Sequence, residues 1–183
     1  LRVVDKMYTK GVSSVLDYSV EGKEEEAQFD AALNMTLKTI EFAREREAIP
    51  FAVFKPTGFG RLALYEKVGD KAHLTENEQK EWNRVIERFD IACKTAFEKD
   101  VLLLIDAEES WMQDAADAIV TDMMRKYNKQ KAIVFNTLQM YRWDRLDYLK
   151  SLHEQAKSEG FYIGMKLVRG AYMEKENDRA TER

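Results

Sequence analysis

Cysteine is almost absent. Cys93 is the single one in 183 residues, so no disulfide can form within the chain, and a reducing compartment fits. It falls on the apolar face of a predicted helix and reads as a packed core thiol rather than a nucleophile. Histidine is nearly as scarce: His73 lies in a polar loop and His153 in a helical stretch. Neither has a cysteine or carboxylate at ligand spacing, so no metal site is expected. Positive charge is not in excess, the net charge being −4, which removes the basic footprint of a nucleic-acid binder. No apolar run approaches the ~20 residues of a membrane span. Repeats, low-complexity segments and linkers are missing too, so residues 1–183 read as one domain. The chain opens on Leu1 rather than Met and stops at Thr181-Glu182-Arg183 inside a predicted helix, so both ends read as cut.

What is present is a soluble globular composition, 45% hydrophobic and 34% charged. Residues 1–10 have no clear period and could be the tail of a helix that Gly11 ends. Five apolar runs then follow one another. Val15 to Tyr18 is the first strand candidate, and Phe51 to Phe54 the second. Val101 to Ile105, Ala132 to Phe135 and Tyr162 to Val168 complete the series. Helical periodicity fills the gaps. A helix over Glu24–Arg46 has Phe29, Leu33, Leu37, Ile40 and Ala43 down one face. A second starts at the capping box of Thr75 and Glu78, with Trp82, Val85, Ile86, Phe89, Cys93, Ala96 and Phe97 on one stripe. Others run over Met112–Tyr127 and Asp144–Ser158, the latter turning Leu146, Leu149, Leu152 and Ala156 inward before Gly160 as its terminator. The connection from Lys55 to Thr75 is too long for an ordinary loop and should carry extra structure or function.

Alternation of such strands with helices predicts parallel strands buried on both faces. A doubly wound sheet and a (β/α)8 barrel both fit. The dinucleotide fingerprint of the first would follow the first strand, where Ser19-Val20-Glu21-Gly22 stands instead. Every predicted strand presents a charged or amide group at its C-terminal end, and chemistry spread over several strands is the barrel arrangement. A barrel needs ~250 residues, so five strands are about five-eighths of one. Five strands left as an open sheet would have two unpaired edges. Further residues are therefore expected after Arg183.

The strand ends supply a ring of candidates: Glu21, Lys55, Asp106, Gln139, Lys166 and Tyr172. Lys55, held by Pro56, reads as a fixed cation for an anionic substrate group or as an ion pair to Asp106, and both can hold together. Asp106 could instead cap the helix that follows it. Glu108 and Glu109 could supply acid chemistry or simply favour a helix N-terminus. Gln139 alone is a weak signal, and Tyr172 after Arg169-Gly170-Ala171 suits a rim position. Lys166 inside an apolar run must be desolvated and paired, which is costly unless it has work there.

These segments resemble the proline dehydrogenases: Leu16-Asp17-Tyr18-Ser19-Val20-Glu21-Gly22, Phe54-Lys55-Pro56-Thr57-Gly58, Leu104-Ile105-Asp106-Ala107-Glu108-Glu109, Phe135-Asn136-Thr137-Leu138-Gln139-Met140-Tyr141 and Lys166-Leu167-Val168-Arg169-Gly170-Ala171-Tyr172. They stand in the family's order, each at a predicted strand end, and look closer to the stand-alone than to the bifunctional enzymes. The resemblance implies a distorted (β/α)8 barrel holding FAD, of which this chain is the N-terminal portion. It implies oxidation of L-proline to Δ1-pyrroline-5-carboxylate, with electrons passed to a membrane quinone.

By the same resemblance Lys55 helps bind the proline carboxylate, Asp106 organises the pocket, and Tyr172 packs beside substrate and flavin. Gln139, Lys166, Val168 and Gly170 would contact the isoalloxazine and the cofactor chain. Glu21 would pair with a substrate arginine and help close the site. The paired arginines and the adenine-binding segments of the family are not found in this chain. Quinone reduction implies peripheral contact with the bacterial inner membrane or, in a eukaryote, the mitochondrial one, although no basic amphipathic helix of the expected kind is evident. The competing readings are a Schiff-base lyase or aldolase using Lys55, and a non-catalytic truncated binding domain.

Overall fold

The structure is a computed structural model that describes residues 2–17 and 22–182. Its elements are α1 (Arg2–Tyr8), α2 (Glu26–Arg44), β1 (Phe51–Phe54), a 3-10 turn (Pro56–Gly58), α3 (Leu62–Gly69), α4 (Glu76–Lys99), β2 (Leu102–Ile105), α5 (Ser110–Tyr127), β3 (Val134–Gln139), α6 (Arg145–Glu159), β4 (Met165–Val168) and α7 (Met173–Thr181). Local chemistry fixes several of these bounds. Thr75 accepts the Glu78 N–H at 3.3 Å while the Glu78 carboxylate accepts the Thr75 N–H at 2.8 Å, which closes the capping box of α4. Gly160 ends α6 with φ +69°, a left-handed turn that glycine adopts without strain.

The four strands are parallel and lie in the order β1-β2-β3-β4. Neighbours in sequence are neighbours in space, without the reversal of a doubly wound sheet. Right-handed crossovers in that order place every connecting helix on one side. This is a partial (β/α)8 barrel. Ala52, Phe54, Leu103, Ile105 and Val134 alternate onto the helix-facing side and join the core built by α2, α4 and α5. Phe54, Phe59 and Phe89 meet there, with ring centroids 4.4, 5.2 and 5.6 Å apart. Cys93 is wholly buried in the same core, and desolvation pushes its thiol far above the usual range, as expected of a packing residue.

Some expectations need correction. Within 15–17 the first strand candidate amounts to one parallel bridge, Leu16 to Ala52, and Tyr18 lies outside the described residues. The fourth candidate does not end at Phe135, because β3 continues to Gln139. Asn136 is tolerated inside it since its amide donates to Asp117 at 2.8 Å. The fifth starts only at Met165 and is not buried on both faces, Leu167 being 65% exposed. On α4 the stripe is narrower than read, with Ile86 and Phe97 exposed, and on α6 Leu146 turns outward. The long stretch after Lys55 does carry structure, namely the 3-10 turn and α3.

Candidate active site

Side chains alternate along a strand, so residues of equal register and parity form rows across the sheet. Asp106 donates its N–H to the Phe54 carbonyl at 3.0 Å, which keeps it level with Lys55. Pairing of Leu104 with Phe135 and of Thr137 with Lys166 carries that level across β3 and β4. The lower row is thus Lys55, Asp106, Thr137 and Lys166, on the face away from the helices. Two residues further on lies an upper row of Thr57, Glu108, Gln139 and Val168.

In the lower row one carboxylate serves two cations. Lys55 Nζ stands 3.6 Å from Asp106 Oδ2, and Lys166 Nζ donates to Asp106 Oδ1. The Lys55 and Asp106 side chains are only 14% and 17% exposed, so their attraction acts through little water. The Asp106 carboxylate thus bridges two ammonium groups. Thr137 fills the space between, its hydroxyl donating to the Ile105 carbonyl at 2.8 Å.

In the upper row Thr57, Glu108 and Gln139 are buried and Val168 is half-buried. The Glu108 carboxylate accepts the Thr57 N–H at 2.8 Å and the Thr57 hydroxyl at 2.7 Å. Gln139 Nε2 donates to the Glu108 carbonyl and to the Tyr141 hydroxyl, the latter at 2.8 Å. Its Oε1 is buried and has no hydrogen-bond partner. Desolvation raises the Glu108 carboxyl to about 7, against the Thr57 hydrogen bonds, which favour the anion. Gln139 pairs with Val168, the last residue of β4. Beyond it, Gly170 sits at φ +148°, and a Cβ there would come within 3.0 Å of Met173 Cγ, so a side chain is disfavoured twice. Tyr172 is the N-cap of α7 and, with Lys55, lines an open cleft of about 590 Å³ that the 171–175 segment bounds.

Lys55, Asp106 and Lys166 come together, Gln139 and Val168 lie one row above, Tyr172 lines the cleft beside Lys55, and Gly170 stands in the turn that leads from β4 to it. Glu21 lies outside the described residues. Asp106 does not cap a helix, because α5 starts at Ser110 with Glu109 as its N-cap. Sequence reasoning missed Thr137 and Thr57. The offset of two between Asp106 and Glu108, and between Thr137 and Gln139, could have found them once the register was known. Among the described residues no group of three His, Cys, Asp or Glu could hold a metal ion.

Fold and site together define a partial (β/α) barrel whose polar groups converge at the strand exits. The chain belongs to the proline dehydrogenase family, whose profile it matches over residues 1–183. It is 39% identical over 166 residues to the carbapenem antibiotics biosynthesis protein CarD of Pectobacterium carotovorum, covering 91% of this chain and 44% of that protein. It is 44% identical over 109 residues to mitochondrial proline dehydrogenase 1 of Drosophila melanogaster, covering 60% of this chain and 16% of that one. Among solved structures, proline utilization A of Bdellovibrio bacteriovorus inactivated by N-propargylglycine superposes with a TM-score of 0.78 at 18% identity, over 100% of this chain and 20% of that one. That likeness supports the fold. The chain spans less than half the length of the curated relatives described here.

Proposed function

We propose that residues 1–183 are the N-terminal portion of a catalytic barrel, and that the protein carrying them oxidises L-proline to Δ1-pyrroline-5-carboxylate with FAD as cofactor and a quinone as electron acceptor. The observation that carries this reading is the row Lys55–Asp106–Lys166 beneath the unpartnered Gln139 Oε1. A buried acceptor without a donor is costly unless a ligand completes it. A flavin ring, which bears a ring N–H and electron-rich carbonyls, suits an orphan acceptor beside a cation. Gln139, Lys166, Val168 and Gly170 are the residues that would hold it. FAD, when bound, supplies the hydride acceptor.

The chain's own residues do the positioning. Lys55 offers its ammonium group to the substrate carboxylate, which fixes the ring's orientation. Asp106 holds Lys55 and Lys166 at a set distance and offsets part of their charge. Tyr172 closes one side of the cleft and shields the ring from water. Glu21 is assigned the closing ion pair by family resemblance. Peripheral contact with a bacterial inner membrane or a mitochondrial membrane follows from the quinone. Among the described residues no helix is long and apolar enough to cross a membrane.

A visible spectrum of the purified full-length protein, taken without oxygen before and after L-proline, tests the proposal. A flavin spectrum that bleaches with L-proline and not with D-proline is expected. A colourless protein that takes up no added FAD would sink it. Borohydride trapping of a substrate at Lys55 would then decide for the lyase, and a folded segment inert in both assays for the binding domain.

A further inference from the structure

We propose that Glu108 is a positioning residue: it sets the spacing between Lys55 and Asp106 by clasping the Lys55-Pro56-Thr57 turn against the exit of β2. The inference rests on the proline-oxidising reading of the lower row. Three handles of one residue are engaged in three directions. Its carboxylate holds both the N–H and the hydroxyl of Thr57, 51 residues away in sequence. Its carbonyl accepts from Gln139 at the end of β3. Its N–H donates to Gln113 Oε1 at 3.0 Å. Gln113 is itself fixed, donating to Asp117 at 2.8 Å, and Asp117 also accepts from Asn136 at 2.8 Å and from Arg145 at 2.7 Å. An unbroken polar chain thus runs from the turn after β1 to the start of α6.

The Thr57 N–H lies in the first turn of a 3-10 segment, where a donor has no partner within its own helix. Glu108 acts as its cap from the loop after β2. From the other side, the Tyr65 hydroxyl donates to the Pro56 carbonyl at 2.7 Å. Pro56 fixes its own φ, so a turn gripped on both sides leaves Lys55 little backbone freedom. Glu108 is 1% exposed and lines no part of the cleft. A buried carboxyl opposed by desolvation is a poor choice for packing alone. Holding two donors of one turn gives it a purpose.

The charged and titratable groups that act on Glu108 are Lys55 from the β1 exit and Glu109 beside it on the same loop, and the Tyr65 hydroxyl of α3 feels it in turn. Lys55 favours the anion and Glu109 opposes it. Protonation leaves the carboxyl with fewer lone pairs for Thr57, so the clasp loosens as the pH falls.

The test measures kcat, KM for L-proline and the Kd of tetrahydrofuran-2-carboxylate, which keeps the ring and carboxylate and lacks the amine, on the FAD-loaded full-length protein. Glu108→Ala should raise KM and Kd together by about tenfold, the loss of a charge-assisted hydrogen bond, with kcat within about threefold. Thr57→Val should weaken both less, and Thr57→Ser should restore them. Wild-type Kd should rise as the pH falls below neutrality, and Glu108→Gln should flatten that rise. Unchanged KM and Kd in Glu108→Ala and Thr57→Val would overturn the proposal. If Glu108→Ala does not fold, Thr57→Val with its serine rescue decides alone. If wild type binds neither ligand, the proposed function falls, and an unaltered Lys55–Asp106 spacing in a crystal structure of Thr57→Val would overturn the positioning role separately.

Discussion

The two halves of the sheet are held by different forces. β1 and β2 bury three of their four residues each, and α4 and α5 pack over them with long apolar faces. β4 buries none fully, and α7 buries none of its residues. What fixes α7 is polar: the Glu176 carboxylate accepts the N–H and hydroxyl of Ser110, both at 2.7 Å, Lys175 pairs with Glu109, and Arg179 reaches Glu66 at 2.6 Å. The candidate site straddles the divide. Lys55, Asp106, Thr137, Glu108 and Gln139 stand on the packed half, Lys166, Val168 and Tyr172 on the polar-latched one. A wall packed by apolar contacts thus faces one held by polar contacts.

The sharpest way to break this contrast is to cut the core on each side. Phe89→Ala removes a ring packed against Phe54 and Phe59 and should cost about 3–5 kcal/mol in urea unfolding. Leu167→Ala, at a residue 65% exposed, should cost about 0.5 kcal/mol or less. Equal losses would mean that β4 is as packed as β2.

A second prediction uses pH. The Glu108 carboxyl is raised from 4.5 to about 7 on folding, so the folded state binds its proton more tightly than the unfolded one. Its favourable contribution is complete below about 4.5 and is lost as the pH rises through about 7, a change of about 3 kcal/mol. Urea midpoints of wild type and Glu108→Gln should therefore diverge over that window, with the variant the flatter. Parallel curves would place the carboxyl in a more polar setting than its burial indicates.

Next comes the cation of the packed wall. Lys55→Ala should raise KM for L-proline by about one to two orders of magnitude, roughly 1.5–3 kcal/mol, in the full-length protein. An unchanged KM would remove Lys55 from the substrate site. Tyr172→Phe, on the polar-latched wall, should leave FAD bound and alter turnover, and loss of flavin absorbance would instead make Tyr172 a folding residue.

Much of the packed half was legible because its signals are local. Thr75 with Glu78 announces the start of α4, Gly160 the end of α6, and period 3.6 marks the buried faces of α2 and α4 apart from the flanking Ile86 and Phe97. The polar-latched half was misread for a physical reason. Met165-Lys166-Leu167-Val168 is a short apolar run, and such a run does not reveal whether a layer covers its second face. The strand-end polar residues were legible one by one but not as rows, since Thr57, Thr137 and Glu108 gain their meaning from a register that only folding sets. Family resemblance singled out Gln139 as a cofactor contact, and the structure adds that its Oε1 is buried without a hydrogen-bond partner.

The smallest effect tests the latch itself. Glu176 is half-buried and holds the first turn of α5 through two hydrogen bonds, so Glu176→Gln weakens a charge-assisted contact without creating a cavity. Exposed or half-exposed ionic contacts contribute about 0.2–1 kcal/mol and are screened by salt. Amide hydrogen exchange of residues 173–181 should therefore speed up a few-fold in the variant, and in wild type at about 1 M salt, where the Debye length falls to about 3 Å. Amides in the middle of α4, around the buried Val85, Phe89, Ala92 and Cys93, should respond far less to either change, because the apolar contacts that protect them carry no charge to screen. If α7 kept its protection in molar salt, contacts other than the polar latch would have to hold it, and the two walls of the site would be alike.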